Sequence, residues 1–123
     1  VTRRHDIAQR YNQLVAELPV SVPYQHPDCY SSWHLYVIRL QLDEMLIDHR
    51  AVFESLREKG IGVNLHYIPV HTQPWYQRMG FKTGDFPEAE RYYTEAISLP
   101  IYPTMTDEQQ DKVVAAVRQA VVG

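Results

Sequence analysis

The sequence predicts an α+β fold, a two-layer sandwich in which a small, mainly antiparallel sheet carries helices on one face. Three observations lead to this prediction. Helical and strand patterns follow one another as helix, strand, helix, strand, helix, short strand and helix. The helical segments repeat apolar residues about every 3.6 positions, whereas the middle strand alternates apolar with polar residues. The length of 123 residues is enough for one compact domain.

The composition is that of an ordinary globular domain, with 45% hydrophobic and 22% charged residues. Twelve Lys and Arg against 15 Asp and Glu give a net charge of −3 without a basic stripe, which argues against nucleic acid as the main partner. The apolar runs are too short for a membrane span, and no signal peptide is recognisable. The single cysteine, Cys29, cannot form an internal disulfide, so we expect a reducing compartment, the cytoplasm.

The first helix is expected over 7–18, where apolar residues line one face, and Pro19 stops it. It has no clear N-cap, and Arg3 and Arg4 would oppose the positive end of the helix dipole if the helix began there. A helix that continues upstream removes this conflict. Since the sequence also lacks an initiator methionine, we expect the chain to be a piece of a longer protein.

A connector, a strand and a second helix come next. Prolines make residues 19–32 a connector. Residues 33–40 are aromatic and β-branched, which predicts a strand with much of both faces covered. Asp48 is a suitable N-cap for the helix that follows, and Gly60 suits the left-handed position after its end.

A strand with one polar face is expected over 61–67, because its apolar and polar residues alternate. An exposed sheet face with polar side chains invites a ligand or a partner. The alternation points Ile61, Val63, Leu65 and Tyr67 toward the helices and Gly62, Asn64 and His66 the other way.

The segment 70–84 is expected to be irregular, with one helical turn around 75–78. Residues 85–88 resemble a capping box, in which Asp85 would cap a helix that reaches Ile97. This helix is amphipathic because its apolar residues recur at helical spacing.

The C-terminal part predicts a short strand and a last helix. Residues 98–101 form the strand, and Pro100 confines it to a sheet edge or a strand end. Thr106 and Gln109 form a capping box at the start of the helix. Its inner face is lined by Val113, Val114, Val117 and Val121.

The residue types argue against a complete cofactor or metal site. A covalently held cofactor needs a desolvated lysine, and the surroundings of Lys59, Lys82 and Lys112 predict solvated amines. No glycine-rich phosphate-binding turn is present. His66 and His71 are five positions apart with no carboxylate or cysteine partner, which does not suit a metal.

The segment 64–76 combines imidazoles, amides, hydroxyls and an indole. Such groups can hydrogen-bond sugar hydroxyls and stack on a sugar or base face. The alternative is that Trp75 and Tyr76 cover the edge of the core while the histidines hydrogen-bond the backbone. Composition alone leaves both interpretations open.

Four segments of the chain resemble the sugar-nucleotide aminotransferases of the DegT–StrS group, which are fold-type-I pyridoxal-phosphate enzymes. They are RRHDIAQRYNQLV, SSWHLYVIRL, GIGVNLHYIPVHTQPWYQRMGF and GDFPEAERYYTEAISLPIYPTMTDEQQDKVVAAV. Within the group, HYIPVHTQPWY together with GDFPEAERYY is most similar to the transaminases of pseudaminic acid biosynthesis.

The resemblance implies that residues 1–123 form the C-terminal small domain of such an enzyme. The full enzyme would move an amino group from glutamate to the C4 keto group of a UDP-linked deoxysugar. A lysine in the N-terminal large domain would hold the pyridoxal phosphate, so we expect the chain alone to be inactive. Its partners would be that large domain and the second subunit of a homodimer. The isolated chain would self-associate or lose stability, because its domain interface would be exposed.

The same resemblance places His66, Tyr67 and His71 in the motif that faces the sugar nucleotide, and it implies no catalytic or cofactor-binding residue in this chain. Strand alternation adds Asn64 beside His66. An alternative is a free-standing module of the same fold that binds a nucleotide sugar or a protein without catalysis. For His34, a histidine satisfied by a neighbour is the other interpretation. The residues expected to face the sugar nucleotide are His66, His71, Asn64, Tyr67 and His34.

Overall fold

The computed structural model describes residues 2–27, 30–65 and 69–122. One helix is followed by two strands, three helices, a third strand and a last helix, with short 3-10 helices at 42–44 and 70–72. The elements are α1 (Thr2–Leu14), β1 (Val20–Ser21), β2 (Tyr36–Leu40), α2 (His49–Glu58), α3 (Pro74–Arg78), α4 (Pro87–Glu95), β3 (Ala96–Leu99) and α5 (Asp107–Val122).

The three strands form one antiparallel sheet in the order β1-β2-β3. Val20 pairs with Leu40, and Ile38 pairs with Ile97. On the free side of β3, Ser98 forms an isolated antiparallel bridge with Asn64. The sheet and its helices confirm the predicted α+β fold.

The core lies between one face of the sheet and the helices α1, α2 and α5. In β2, every second residue is fully buried, which places Tyr36 and Ile38 in this core. The rings of Tyr11 and Tyr36 stack with centroids 4.7 Å apart. Their hydroxyls donate to the Pro100 carbonyl and to Asn12 Oδ1, each at 2.6 Å. Burial raises the pKa of both tyrosines well above the ordinary value.

The predicted caps at two helices are confirmed. Asp48 accepts the Ala51 N–H at 2.8 Å, and Gly60 ends α2 with a φ of +79°. At α5, the Thr106 N–H donates to Gln109 Oε1 at 2.9 Å and the Gln109 N–H donates to Thr106 Oγ1 at 3.1 Å. This reciprocal pair is the capping box that the sequence predicts.

The predicted length of the first helix was wrong, because α1 ends at Leu14. Val15 and Leu18 follow in turns, yet both are buried as the helical pattern requires. The chain turns here because β1 pairs with β2. The Gln41 N–H, directly after β2, donates to the Pro19 carbonyl at 2.8 Å. The apolar repeat therefore identified the buried positions but not the backbone that carries them.

The connector prediction missed β1, since a strand of two residues has too short a pattern to detect. The strand predicted over 33–40 is β2, and it starts later than expected, at Tyr36. Trp33 has a φ of +52°, a left-handed conformation that cannot continue a strand.

The expected strand over 61–67 was wrong for its described residues, in which only Asn64 forms a bridge. The alternation itself is present, because Val63 is buried whereas Gly62 and Asn64 are exposed. His66 and Tyr67 lie outside the described residues.

The boundary between α4 and β3 also differs from the prediction. The helix ends at Glu95, and Ala96 and Ile97 belong to β3, where they pair with β2. Pairing with a buried strand thus overrides the helical spacing. Asp85 does not cap α4, because its carboxylate accepts the Lys82 N–H at 2.8 Å instead. The predicted helical turn near 75–78 is confirmed by α3.

Across 2–27, 30–65 and 69–122, the longest helices are too short or too polar to cross a membrane.

Candidate functional site

Asn64 lies on the face of the sheet that is opposite to the helical core. It pairs with Ser98, and Ser98 pairs with Val37 of β2. Paired residues in an antiparallel sheet point to the same side, so all three are on the face opposite to Ile38 and its partner. The Asn64 side chain is exposed. Its amide is therefore available to a ligand that approaches this face.

His34 is exposed and lies two residues before the start of β2. Arg4 Nη1 donates hydrogen bonds to the backbone carbonyl of His34 at 3.3 Å and to that of Trp33 at 3.0 Å. In the part of the chain that the structure describes, no hydrogen bond or ring contact joins His34 to Asn64 or His71.

His71 is buried, with 6% of its surface exposed, in the short 3-10 helix that follows Pro69. Its Nε2 lies 3.1 Å from Glu90 Oε2. Its ring meets the ring of Phe86 edge-on, with centroids 4.8 Å apart. Among the described residues, the imidazole is thus held by α4 and by the residue before it.

Glu90 binds a second partner with the same carboxylate. The Gly84 N–H donates to both of its oxygens, at 3.0 and 2.8 Å. Gly84 has a φ of +97°, which turns its N–H toward α4 and favours glycine. The bond from Gly84, followed by that from His71, holds the pKa of Glu90 below its ordinary value. Glu90 is therefore an ionised acceptor of hydrogen bonds.

Residues 69–86 are here called the aromatic loop. Together with Ala89 of α4, they line an open cavity of about 400 Å³. The rings of Tyr76, Phe81 and Phe86 follow one another with centroids 6.2 Å apart. Many large apolar side chains of this loop face solvent, among them Trp75 at 66% exposure. A surface of this kind marks a site of contact with a ligand or another protein surface.

The basic side chains do not offer a covalent anchor. Lys59, Lys82 and Lys112 are all exposed, and Lys59 Nζ donates to Ser55 Oγ at 3.3 Å. Among the described residues, no three His, Cys, Asp or Glu side chains are grouped closely enough to hold a metal ion. The arrangement provides hydrogen-bonding and stacking groups and no nucleophilic amine.

Sequence analysis missed Glu90, which it placed only in a capped helix. Glu90 and His71 are 19 positions apart, and no periodic pattern joins residues at that separation. One signal for Glu90 was present in the sequence: Gly84 is followed by a helix whose first turn contains two acidic residues.

A family model described as the DegT/DnrJ/EryC1/StrS aminotransferase family matches residues 1–118. The spore coat polysaccharide biosynthesis protein SpsC of Bacillus subtilis is 39% identical over 98% of this chain and 32% of its own length. Among solved structures, Spr1654 from Streptococcus pneumoniae in its PLP form has a TM-score of 0.85 and 27% identity, over 97% of this chain and 30% of its own.

Helicobacter pylori PseC, an aminotransferase involved in the biosynthesis of pseudoaminic acid, has a TM-score of 0.82 and 27% identity. The similarity covers 98% of this chain and 32% of PseC. The chain thus spans about a third of the length of these relatives. Because the family match extends over nearly the whole sequence, the chain belongs to the DegT/DnrJ/EryC1/StrS aminotransferase family.

Proposed function

We propose that residues 1–123 are the C-terminal small domain of a pyridoxal-phosphate-dependent sugar aminotransferase. The observation that carries the proposal is the family match over residues 1–118. The full enzyme would transfer an amino group from glutamate to the C4 keto group of a nucleotide-linked deoxysugar. In this proposal the chain supplies part of the wall against which the sugar nucleotide binds.

The residues of this chain do not fit pyridoxal phosphate by themselves. The cofactor requires a desolvated lysine amine and a partner for its pyridine nitrogen. All three lysines here are exposed. We therefore assign the cofactor to the remainder of the enzyme, and we expect the chain alone to have no transaminase activity.

The substrate wall would use the groups that the chain offers for hydrogen bonding. The exposed Asn64 amide supplies both a donor and an acceptor for sugar hydroxyls. The buried His71 ring would reach a ligand through its Nδ1, since Nε2 is already bonded to Glu90. We propose His66 and Tyr67 as further substrate-binding residues because they fall in the motif that carries the resemblance. His34 lies outside that motif, and we propose it as a residue that helps to hold the substrate from the segment just before β2.

For the sugar itself, we propose the substrate of a UDP-4-amino-4,6-dideoxy-N-acetyl-β-L-altrosamine transaminase, an enzyme of pseudaminic acid biosynthesis. The motif resemblance and the similarity to PseC support this choice. Because PseC is 27% identical to this chain, the assay also tests other nucleotide sugars as substrates.

The partners follow from the same proposal. Exposed apolar residues of the aromatic loop would be covered by the large domain or by the second subunit of a homodimer. Interfaces between domains bury about 600–1,500 Å², so isolation of the chain would expose such an area. We propose that the protein acts in the cytoplasm.

The test is expression of the complete gene product, followed by absorbance spectroscopy and an amino-transfer assay. We expect the absorbance of bound pyridoxal phosphate and glutamate-dependent amination of a UDP-linked 4-keto sugar. Activity with other nucleotide sugars only would contradict the proposed substrate but support the proposed reaction. A colourless product that binds UDP-sugars in calorimetry would instead support the non-catalytic module.

A further inference from the structure

We propose that Glu90 is a positioning residue, which acts on the nucleotide-sugar substrate through His71 without touching it. The inference rests on the function proposed above. It assigns to the Glu90 carboxylate two tasks, the orientation of one imidazole and the attachment of one turn of the aromatic loop.

The first task follows from the chemistry of the two partners. An ionised carboxylate can only accept hydrogen bonds, so His71 Nε2, at 3.1 Å, must carry the proton. In the neutral ring this leaves a lone pair on Nδ1. Within the described residues Nδ1 has no hydrogen-bond partner. In that neutral tautomer Nδ1 is an acceptor, which suits the hydroxyl groups of a sugar.

The second task follows from the geometry at Gly84. The Gly84 N–H donates to both carboxylate oxygens of Glu90, at 3.0 and 2.8 Å, so the 82–85 turn is attached to α4. The side chain of Glu90 is 22% exposed, which leaves the carboxylate only partly screened by water. One carboxylate thus joins the 3-10 helix at 70–72, the turn and α4.

The attachment matters because the aromatic loop has little core of its own. Phe81 and Phe86 are 39% and 48% exposed, so apolar burial fixes their positions only weakly. In the described part of the chain, Glu90 is the side chain that hydrogen-bonds both His71 and the 82–85 turn. Removal of its charge should therefore alter the substrate wall while the sheet and its core stay unchanged.

The first measurement is steady-state kinetics on the complete gene product. In Glu90→Gln we expect KM for the nucleotide sugar to rise about threefold or more, because an even mixture of ring tautomers alone halves the competent population and the 82–85 turn also loses its charged acceptor. The kcat should stay within about twofold. Glu88→Gln, in the same helix turn, is the matched control and should leave both constants unchanged.

Two substitutions at His71 separate its ring nitrogens. His71→Gln places an amide near Nε2 and can still donate to Glu90, but it lacks the Nδ1 acceptor. It should raise KM at least as much as Glu90→Gln does, because it removes the Nδ1 acceptor altogether. The double variant should raise KM by less than the product of the two single effects, because both changes act on the same imidazole. Effects that multiply in the double variant would overturn the proposal.

A spectroscopic readout is independent of turnover. In nitrogen-15 spectra of histidine-labelled protein, His71 should be protonated at Nε2, and Glu90→Gln should give a mixture of both ring tautomers. An unchanged tautomer, or an unchanged KM, would overturn the role of Glu90. A wild-type protein without pyridoxal phosphate would refute the proposed function and with it the substrate role, even where the tautomer responds.

Discussion

The helical core and the aromatic loop are built on opposite principles. In the core, Tyr36, Ile38 and Val52 are fully buried, and their positions follow from packing. In the loop, large side chains such as Trp75 and Met79 are more than half exposed. Loop structure there depends on hydrogen bonds to Glu90 and on contacts between rings.

The difference shows where each region obtains its stability. A buried aliphatic side chain contributes through the apolar area that it removes from water. A partly exposed carboxylate contributes mainly by satisfying N–H groups that would otherwise be without a partner. The core should therefore govern global unfolding, whereas the loop should respond to local changes and to binding.

The largest expected effect is on the core. Ile38→Ala should lower the free energy of unfolding by about 3 kcal/mol, because it leaves a cavity between sheet and helices. The matched change in the loop is Val70→Ala, at a residue that is 60% exposed, and it should cost less than about 0.5 kcal/mol. Urea denaturation measures both. Equal losses would contradict the contrast between the two regions.

Alkaline pH should weaken the core next. Burial raises the pKa of Tyr11 and Tyr36 in the folded state, so the unfolded chain ionises first, above about pH 10. Their contribution is intact below that value and is lost as pH rises toward the folded pKa. The slope approaches about 1.4 kcal/mol per pH unit for each tyrosine.

The free energy of unfolding at about pH 9, 10 and 11 measures this slope. Tyr36→Phe should reduce this slope by the contribution of one tyrosine. The reduction is expected whether or not the variant changes stability at neutral pH. A slope that is the same in wild type, Tyr11→Phe and Tyr36→Phe would show that these hydroxyls do not control alkaline unfolding.

Helix caps provide a smaller and sharper comparison. Thr106→Ala should cost about 1 kcal/mol, because it removes the acceptor for the Gln109 N–H at the start of α5. Asp85→Ala should cost about half as much, since Asp85 does not cap α4. Thermal unfolding compares the two variants, with Thr104→Ala as an exposed control. If both variants lost the same stability, Asp85 would have to cap α4 after all.

The smallest effect is local and concerns acid pH. The folded pKa of Glu90 is lowered, so its bond to Gly84 is complete above the unfolded value and is lost as pH falls through the folded pKa. The amide resonance of Gly84 should therefore shift with a midpoint below about pH 4.3, the usual glutamate value. The Ser98 amide, which donates to the Asn64 carbonyl at 2.9 Å, should not follow this titration. A midpoint at or above the usual value would contradict the geometry.

Local patterns were sufficient wherever the structure depends on near neighbours. The caps at Asp48 and Thr106, and the left-handed Gly60, were predicted from residues within four positions of each other. The apolar repeat identified Val15 as a buried residue even though the helix ends one residue earlier. The resemblance of the motifs predicted the family that the matched residues 1–118 show.

Long-range pairing decided the remainder. Ala96 and Ile97 continue a helical pattern, but their backbone groups are paired with β2, more than 50 positions earlier. At the candidate site, Asn64 could be placed on a face by alternation, whereas the bond between His71 and Glu90 could not.

The sequence by itself determined the main apolar positions of the core, the starts of the helices capped by Asp48 and Thr106, and the family to which the chain belongs. Each of these depends on periodicity, local hydrogen bonds or recognisable motifs. Only the tertiary structure decided that Ala96 and Ile97 form a strand and that one carboxylate joins His71 to Gly84. Contacts between distant residues leave no periodic trace in a single chain, since their geometry arises only when the sheet and helices have assembled.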